Sequence, residues 1–339
     1  MLDWAAATAA SNAALDCLMS HPPRGIAYGA LVLTAALWGS SGVVARGLLD
    51  GLPPVTLACL RWAVVLLGLL PFAWPERATM RAALRSHFRT YAALALLGFA
   101  PQTCLVYFGL VGTTATLLGL LNSAIPVMIV AVLAAWRGRR PRPLETVGLT
   151  VSLCGVAFIL AHGDLRALLA LRFNPYDLLL LAAMCVWALY TIKLVERPGH
   201  LSLAAFIFLG ALLGEAFAAP LLIAEWARNG LPPIGTSHVL GVIYLGTLPT
   251  LVAMLLFGYG VARVGAVQAG IFTHLVPVFT ALFAAAFIGE RLHAFHAAGF
   301  LLVAGGALLC CLRPDPVLSS RAAPRAPAER TRIPESPSP

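Results

Sequence analysis

The sequence predicts an all-α integral membrane protein with ten transmembrane helices, arranged as two inverted five-helix repeats. Three observations lead to this prediction: an apolar composition, a regular succession of long apolar stretches, and a pattern that returns at a constant spacing. Of the 339 residues, 60% are hydrophobic and 11% are charged, and the mean hydropathy is +0.87. Soluble domains carry about 25% charged residues, so we expect this chain to lie in a lipid bilayer.

Each apolar stretch is close to the ~20 residues that a bilayer crossing needs, and backbone that faces lipid must be helical. The linkers between the stretches are short, which leaves no room for a soluble domain. Nine or eleven spans are also possible, because the third and fourth nearly touch. The predicted spans are Ile26–Leu49, Pro54–Trp74, Tyr91–Gly112, Ala115–Trp136, Leu144–Ala161, Tyr176–Leu194, Ser202–Ala224, Val239–Val261, Ala266–Ile288 and Ala294–Leu312.

Arginines predict the orientation of the spans. Clusters at residues 77–89 and 137–142 follow the second and fourth spans, and cytoplasmic loops carry the excess of positive charge. Even-numbered spans therefore end in the cytoplasm, which is predicted to hold both termini. We attribute the net charge of +9 to this topology. Nucleic-acid binding would instead need a basic face on a folded domain, so no nucleic-acid partner is expected.

The predicted domain boundaries follow from the spans and the chain ends. Residues 1–25 form a cytoplasmic segment, 26–162 the first repeat and 163–312 the second. Residues 313–339 are rich in Pro, Arg, Ser and Ala and predict a disordered cytoplasmic tail. The seven cysteines show no metal-ligand or disulfide spacing, so we expect no metal and no cofactor.

Two decapeptides mark the repeat. Residues 119–128 read GLLNSAIPVM and residues 270–279 read GIFTHLVPVF, which places Pro126 and Pro277 151 positions apart. Three later glycine pairs keep the same spacing. With five spans in each half, the halves have opposite orientations in the membrane, as in secondary transporters that bind substrate near the midplane.

The prolines predict breaks in the helices. A proline frees the carbonyl group four residues earlier, and for Pro126 and Pro277 those carbonyls belong to Asn122 and Thr273. The alternative is that each proline only shapes packing. Four symmetric prolines, each beside a polar residue, favour a central polar cavity, because unpaired polar groups are not tolerated where they face lipid. The corresponding prolines of the third and eighth spans are Pro101 and Pro249.

Polar and aromatic residues at mid-span positions are the candidates for lining this cavity. The aromatic ones could instead be packing residues, or could contact an amphipathic or cationic substrate. The predicted substrate-binding residues are Trp38, Gln102, Tyr107, Asn122, Ser123, Trp187, Thr250 and His274.

Charged residues within spans are functional candidates, because their burial is costly. Arg61 and Glu215 have similar depths in their spans, so we predict that they pair, either as a structural ion pair or as a site for a proton or a substrate charge. If they lie apart, Glu215 would be the first candidate for a proton carrier; if they pair, His274 would be the better one, since histidine titrates near neutral pH. On this view Glu215→Gln reduces folded protein, whereas His274→Ala spares expression and abolishes the pH dependence of transport.

The chain resembles EamA-type members of the drug/metabolite transporter superfamily over residues 26–312. The resemblance is carried by ALWGSSGVVAR, which contains Trp38, by LPPVTLACLRW, which contains Arg61, and by PVFTALFAAAFIGERL from Pro277. It implies ten helices, inverted repeats and transport, often export, of amino acids or other small metabolites across the inner membrane. The first repeat departs from the pattern with GRRP at residues 138–141, a cytoplasmic loop that favours arginine. His274, Pro101 and Pro249 are not part of the family pattern, so no particular substrate is implied.

We therefore predict a secondary transporter of a small molecule that is monomeric or homodimeric, is a candidate for proton coupling and is not an enzyme. No phosphate-binding loop motif indicates ATP coupling. An uptake permease or a facilitator for a small organic cation or metabolite is the alternative within transport. Outside transport, a membrane scaffold or receptor would not need symmetric helix breaks, a channel would need a polar pore or charged rings, and an enzyme would need a catalytic residue set.

Overall fold

The computed structural model describes residues 24–113, 118, 121–122, 125–138, 140–161, 174–199, 201–283 and 294–311. Within these residues the regular elements are helical, which confirms the predicted all-α class. The helices are α1 Arg24–Leu48, α2 Pro54–Ala73, α3 Arg77–Gly98 continued by Ala100–Val111, α4 Ile125–Arg137, α5 Pro143–Leu160, α6 Pro175–Leu194, α7 Leu203–Asn229, α8 Thr236–Gly246 continued by Ala253–Val264, α9 Ala266–Ile271 continued by Leu275–Phe283, and α10 Ala294–Cys311.

The lengths and compositions of these helices are those of a multi-pass membrane protein. Five helical stretches of the described chain are long and apolar enough to cross a bilayer, and four shorter apolar helices accompany them. The longest stretch, Pro54–Val111, joins α2 and α3 end to end. Large apolar side chains such as Leu67 and Leu301 are 72% and 75% exposed, as expected of a surface that contacts lipid.

Helix α3 begins at Arg77, well before the predicted start of its span at Tyr91. The backbone leaves helical geometry at His87, with φ −133° and ψ 36°. Before this kink the helix buries Met80 and Ala83 and exposes arginines on its other face. The segment is therefore amphipathic, and the hydropathy pattern missed it because its mean apolar content is too low for a span.

The packing of the helices repeats in the two halves. Helix α2 packs on α7, and α5 packs on α10. Helix α1 packs on the second part of α8, as α6 packs on the second part of α3, and α1 contacts α9 as α6 contacts α4. Exchanging α1–α5 with α6–α10 thus reproduces these pairs, which agrees with two repeats of five helices.

Glycines at the repeat spacing let α5 and α10 approach closely. A Cβ atom added at Gly155 would lie 2.9 Å from the carbonyl oxygen of Gly299, and one at Gly306 would lie 2.5 Å from that of Gly148. Small residues at such crossings allow backbones to touch. This seam lies within one chain, a choice that the sequence left open.

Candidate functional site

A central cavity lies between the two halves. The centre of a water-sized molecule can reach ≈ 140 Å³ of it, and part of the surrounding space is open to solvent. Residues from α1, α2, α3, α4, α6, α8 and α9 line it. The polar and aromatic lining residues are Trp38, Ser41, Arg61, Trp62, Gln102, Thr103, Tyr107, Asn122, Trp187, Thr250, Thr273 and Thr280.

The structure brings most of the predicted substrate-binding residues to this cavity. Those that line it are Trp38, Gln102, Tyr107, Asn122, Trp187 and Thr250. Ser123 lies outside the described residues. His274 does not line the cavity and corrects our prediction: it is fully buried, and its Nδ1 is in short contact with the Ser152 hydroxyl of α5. Thr273 faces the cavity, and one residue onward the 3₁₀ turn of Phe272–His274 has rotated by about 120°.

Asn122 and Thr273 meet where the two halves touch. The Thr273 hydroxyl donates to the Gly270 carbonyl at 2.7 Å and lies 3.4 Å from the Asn122 carbonyl oxygen. The Asn122 carbonyl is the group that Pro126 frees, because proline has no N–H to donate. Residues 151 positions apart therefore contact each other at the interface between the repeats.

Pro249 interrupts α8 beside the cavity. The helix widens into a π-helical turn over Thr247–Val252. Since Pro249 has no N–H, the Leu245 carbonyl loses its backbone donor, and the Thr250 hydroxyl replaces it at 2.5 Å. π-Helical turns are frequent at functional sites. Here the turn directs the Thr250 hydroxyl and the Pro249 carbonyl towards α2.

Helix α3 is interrupted at the corresponding position. Phe99 has φ −126° and ψ −142°, and Pro101 then occupies the first turn of the restarted helix. The restart directs Gln102 and Thr103 to the cavity, where the Thr103 hydroxyl accepts from the Trp62 indole N–H at 2.9 Å. The break in α3 thus positions Thr103 to hold Trp62 of α2 at the cavity wall.

Arg61 of α2 crosses the cavity and joins the two halves. Its Nη1 donates to the Tyr107 hydroxyl of α3 at 2.7 Å, and its Nη2 donates to the Pro249 carbonyl of α8 at 3.3 Å. Its Nε donates to the Thr250 hydroxyl. The guanidinium is thus fixed by three neutral oxygen atoms, two of which are available because α8 is broken at Pro249.

The predicted pair of Arg61 and Glu215 is not formed. The Glu215 carboxyl of α7 interacts with the Cys59 thiol, and its Oε1 has no hydrogen-bond partner among the described residues. Cys59 and Arg61 are two residues apart on α2, hence about 200° apart around the helix. The sequence indicated similar depths for the two residues, but Glu215 of α7 faces the side of α2 that carries Cys59, and Arg61 points to another side.

Aromatic rings close one end of the cavity. Trp38 of α1 lies 5.4 Å from Trp187 of α6 between ring centroids, and Phe257 of α8 lies 5.1 Å from Trp38 and 5.5 Å from Trp187. Tyr190 continues this aromatic cluster, with its centroid 5.0 Å from that of Trp187. Phe257 and Tyr190 lie towards the C-terminal ends of α8 and α6. The cavity extends the other way, past Ala45 near the C-terminal end of α1.

Some lining residues were missed by the sequence reasoning. They are Ser41, Trp62, Thr103 and Thr280. On α1 a signal existed: Trp38, Ser41, Gly42 and Ala45 recur at i, i+3, i+4 and i+7, which is one face of a helix, and all four line the cavity. A stripe of small and hydroxyl-bearing residues beside a tryptophan indicates a helix face that lines a cavity and is not packed tightly against another helix.

Comparison with known proteins extends to nearly the whole chain. The EamA-like transporter family matches residues 25–161 and 174–312. A protein of Archaeoglobus fulgidus named "Uncharacterized transporter" is 26% identical over 82% of this chain and 95% of its own length. A "Probable terminal-alkyne amino-acid exporter" of Streptantibioticus cattleyicolor is 28% identical over 77% of this chain and 85% of its own. A solved crystal structure shares the fold, with a TM-score of 0.65, 20% identity and coverage of 86% of this chain and 96% of that one.

Proposed function

The chain belongs to the EamA-like transporter family, and from that premise we propose that it is a secondary transporter that exports amino acids or other small metabolites by alternating access. The observation that carries the proposal is the central cavity, because both repeats line it and two of its helices are broken beside it. Inverted-repeat transporters bind substrate at such an interface near the midplane. Export, and amino acids as cargo, draw support from the name of the Streptantibioticus cattleyicolor relative.

Alternating access needs one closed and one open side. With the predicted topology, the C-terminal ends of α6 and α8 are cytoplasmic. The aromatic cluster of Trp38, Trp187, Tyr190 and Phe257 then closes the cytoplasmic side, and the cavity opens outwards. Export would require the converse arrangement, in which this cluster separates while the outer ends of α1, α3 and α9 come together.

A variant that fills the cavity tests the proposal. Gly42 lines the cavity, and among the described residues a Cβ atom there would meet only a Leu118 methyl group, at 3.7 Å. We expect Gly42→Phe to fold and to abolish counterflow of labelled amino acids and organic acids in proteoliposomes. Gly29→Phe is the matched control: it lies on the same helix, is exposed, and has no described atom within 4 Å of its Cβ position.

Equal counterflow in wild type and Gly42→Phe would show that substrate does not pass through this cavity. If the wild type and both variants show no counterflow for any compound tested, the transport proposal itself is contradicted.

A further inference from the structure

The central cavity contains a positive charge for which the described residues supply no counter-charge. Arg61 is the one charged side chain among the described residues that line it. We propose that Arg61 binds a carboxylate group of the substrate, which makes small organic carboxylates with an apolar or aromatic body the transported class. This inference rests on the proposed transport function and specifies its substrate.

The hydrogen bonds of Arg61 leave room for such a ligand. A guanidinium group has five N–H donors, and those on Nε, Nη1 and Nη2 that contact Thr250, Tyr107 and Pro249 use three of them. One N–H therefore remains on each terminal nitrogen. A carboxylate accepts two parallel hydrogen bonds from such a pair.

The charge balance of the cavity points in the same direction. All three partners of Arg61 are neutral oxygen atoms, and the Glu215 carboxyl contacts Cys59 instead. Arg61 is partly buried, and withdrawing a charge from water costs less when the charge is paired. One carboxylate would balance the single positive charge, whereas a phosphate dianion would leave an excess negative charge in the cavity.

The remaining walls define the rest of the substrate. Trp38, Trp62 and Trp187 provide aromatic surface, while Gln102 and Asn122 provide amide groups. An organic cation would add a second positive charge close to Arg61, which Coulomb repulsion in a medium of low dielectric constant opposes. An amino acid could bind Arg61 through its carboxylate group. Its ammonium group would find neutral hydrogen-bond acceptors and no carboxylate among the described lining residues.

The test compares three probes with one carbon skeleton: 3-phenylpropanoate, 3-phenylpropanamide and 3-phenylpropylamine. Each is added to the purified full-length chain, and the rise in melting temperature on binding and the inhibition of counterflow are measured. We expect the acid to bind at least about tenfold more tightly than the amide, as loss of a charged hydrogen bond predicts, and the amine to bind least. This order needs no variant. An amide or amine that binds as tightly as the acid, or three probes that all fail to bind, would overturn the inference.

Variants assign the preference to Arg61. Arg61→Gln should lose the preference for the acid, and Arg61→Lys should keep part of it through a single charge. Arg81→Gln, on the exposed face of α3, removes an equal charge far from the described lining and should behave as wild type. An unchanged acid preference in Arg61→Gln would remove the arginine from recognition. Counterflow of neutral or cationic compounds with no acid preference would reject this inference and leave the transport proposal in place.

Discussion

Gly306 of α10 lies against the carbonyl of Gly148 of α5, so closely that a Cβ atom at position 306 would be 2.5 Å from that oxygen. Gly306→Ala should therefore destabilise the protein by about 1–3 kcal/mol through overpacking. The adjacent Gly305 has nothing within 4 Å of its Cβ position, so Gly305→Ala should be neutral or should stabilise the helix by up to about 1 kcal/mol. The melting temperatures of the two variants in detergent test this difference in stability. Equal values would mean that the α5–α10 crossing is looser than described.

Thr250 has two roles, since its hydroxyl donates to the Leu245 carbonyl and accepts from Arg61. Thr250→Val keeps the shape and removes both bonds. We expect a loss of about 1–3 kcal/mol in stability and weaker binding of carboxylate probes, because Arg61 loses one of its anchors. Thr150→Val is the control, since that hydroxyl is exposed and bonds only within its own helix. Binding that stays at the wild-type level in Thr250→Val would show that Arg61 is held by its other partners.

His274 is expected to act through stability. The side chain is fully buried and contacts the Ser152 hydroxyl, so His274→Ala should cost about 1–3 kcal/mol by leaving a buried polar group unsatisfied. Together with Ser152→Ala, the double-mutant cycle should give a coupling energy of about 0.5–3 kcal/mol. A stable His274→Ala variant whose transport no longer depends on pH would restore the original prediction of a proton carrier.

Glu215→Gln should preserve the folded protein. Sequence reasoning expected this change to strand Arg61, but Arg61 has other partners and Glu215 contacts Cys59. Replacing the carboxyl by an isosteric amide removes a group whose charged form is costly to bury, so yield and melting temperature should match the wild type or exceed it. A steep fall in yield would indicate that Glu215 compensates a cation in another state of the protein.

Two exposed positions test the orientation of the helices. In a variant without native cysteines, Asp50→Cys after α1 and Gly199→Cys after α6 are both accessible at the surface. The predicted topology requires a membrane-impermeant thiol reagent to label position 50 in intact cells and position 199 only after permeabilisation. The reverse labelling pattern would show that the orientation in the membrane is opposite to the predicted one, and that the cavity opens to the cytoplasm.

The sequence predicted the helices, the repeat and much of the cavity because each leaves a one-dimensional signal. Apolar length predicts spans, the constant spacing predicts the repeat, and prolines mark the broken helices that border the cavity. Rotation around a helix axis leaves a weaker signal. Glu215 and Arg61 share a depth but not a side of α2, and His274 follows cavity-lining Thr273 by one residue yet contacts α5. The N-terminal extension of α3 was missed because its arginines lower the mean hydropathy of a helix that buries only a narrow apolar stripe.

The contact between Thr273 and the Asn122 carbonyl has a geometric consequence. Two residues that are equivalent under the repeat and also touch each other lie on the pseudo-two-fold axis itself. If the halves exchange their conformations during transport, contacts away from the axis are replaced by their counterparts, whereas this pair of residues maps onto itself. The contact of the Thr273 side chain with the Asn122 carbonyl would then be replaced by one of the Asn122 side chain with the Thr273 carbonyl, so that the two residues stay neighbours throughout the cycle while the groups in contact change.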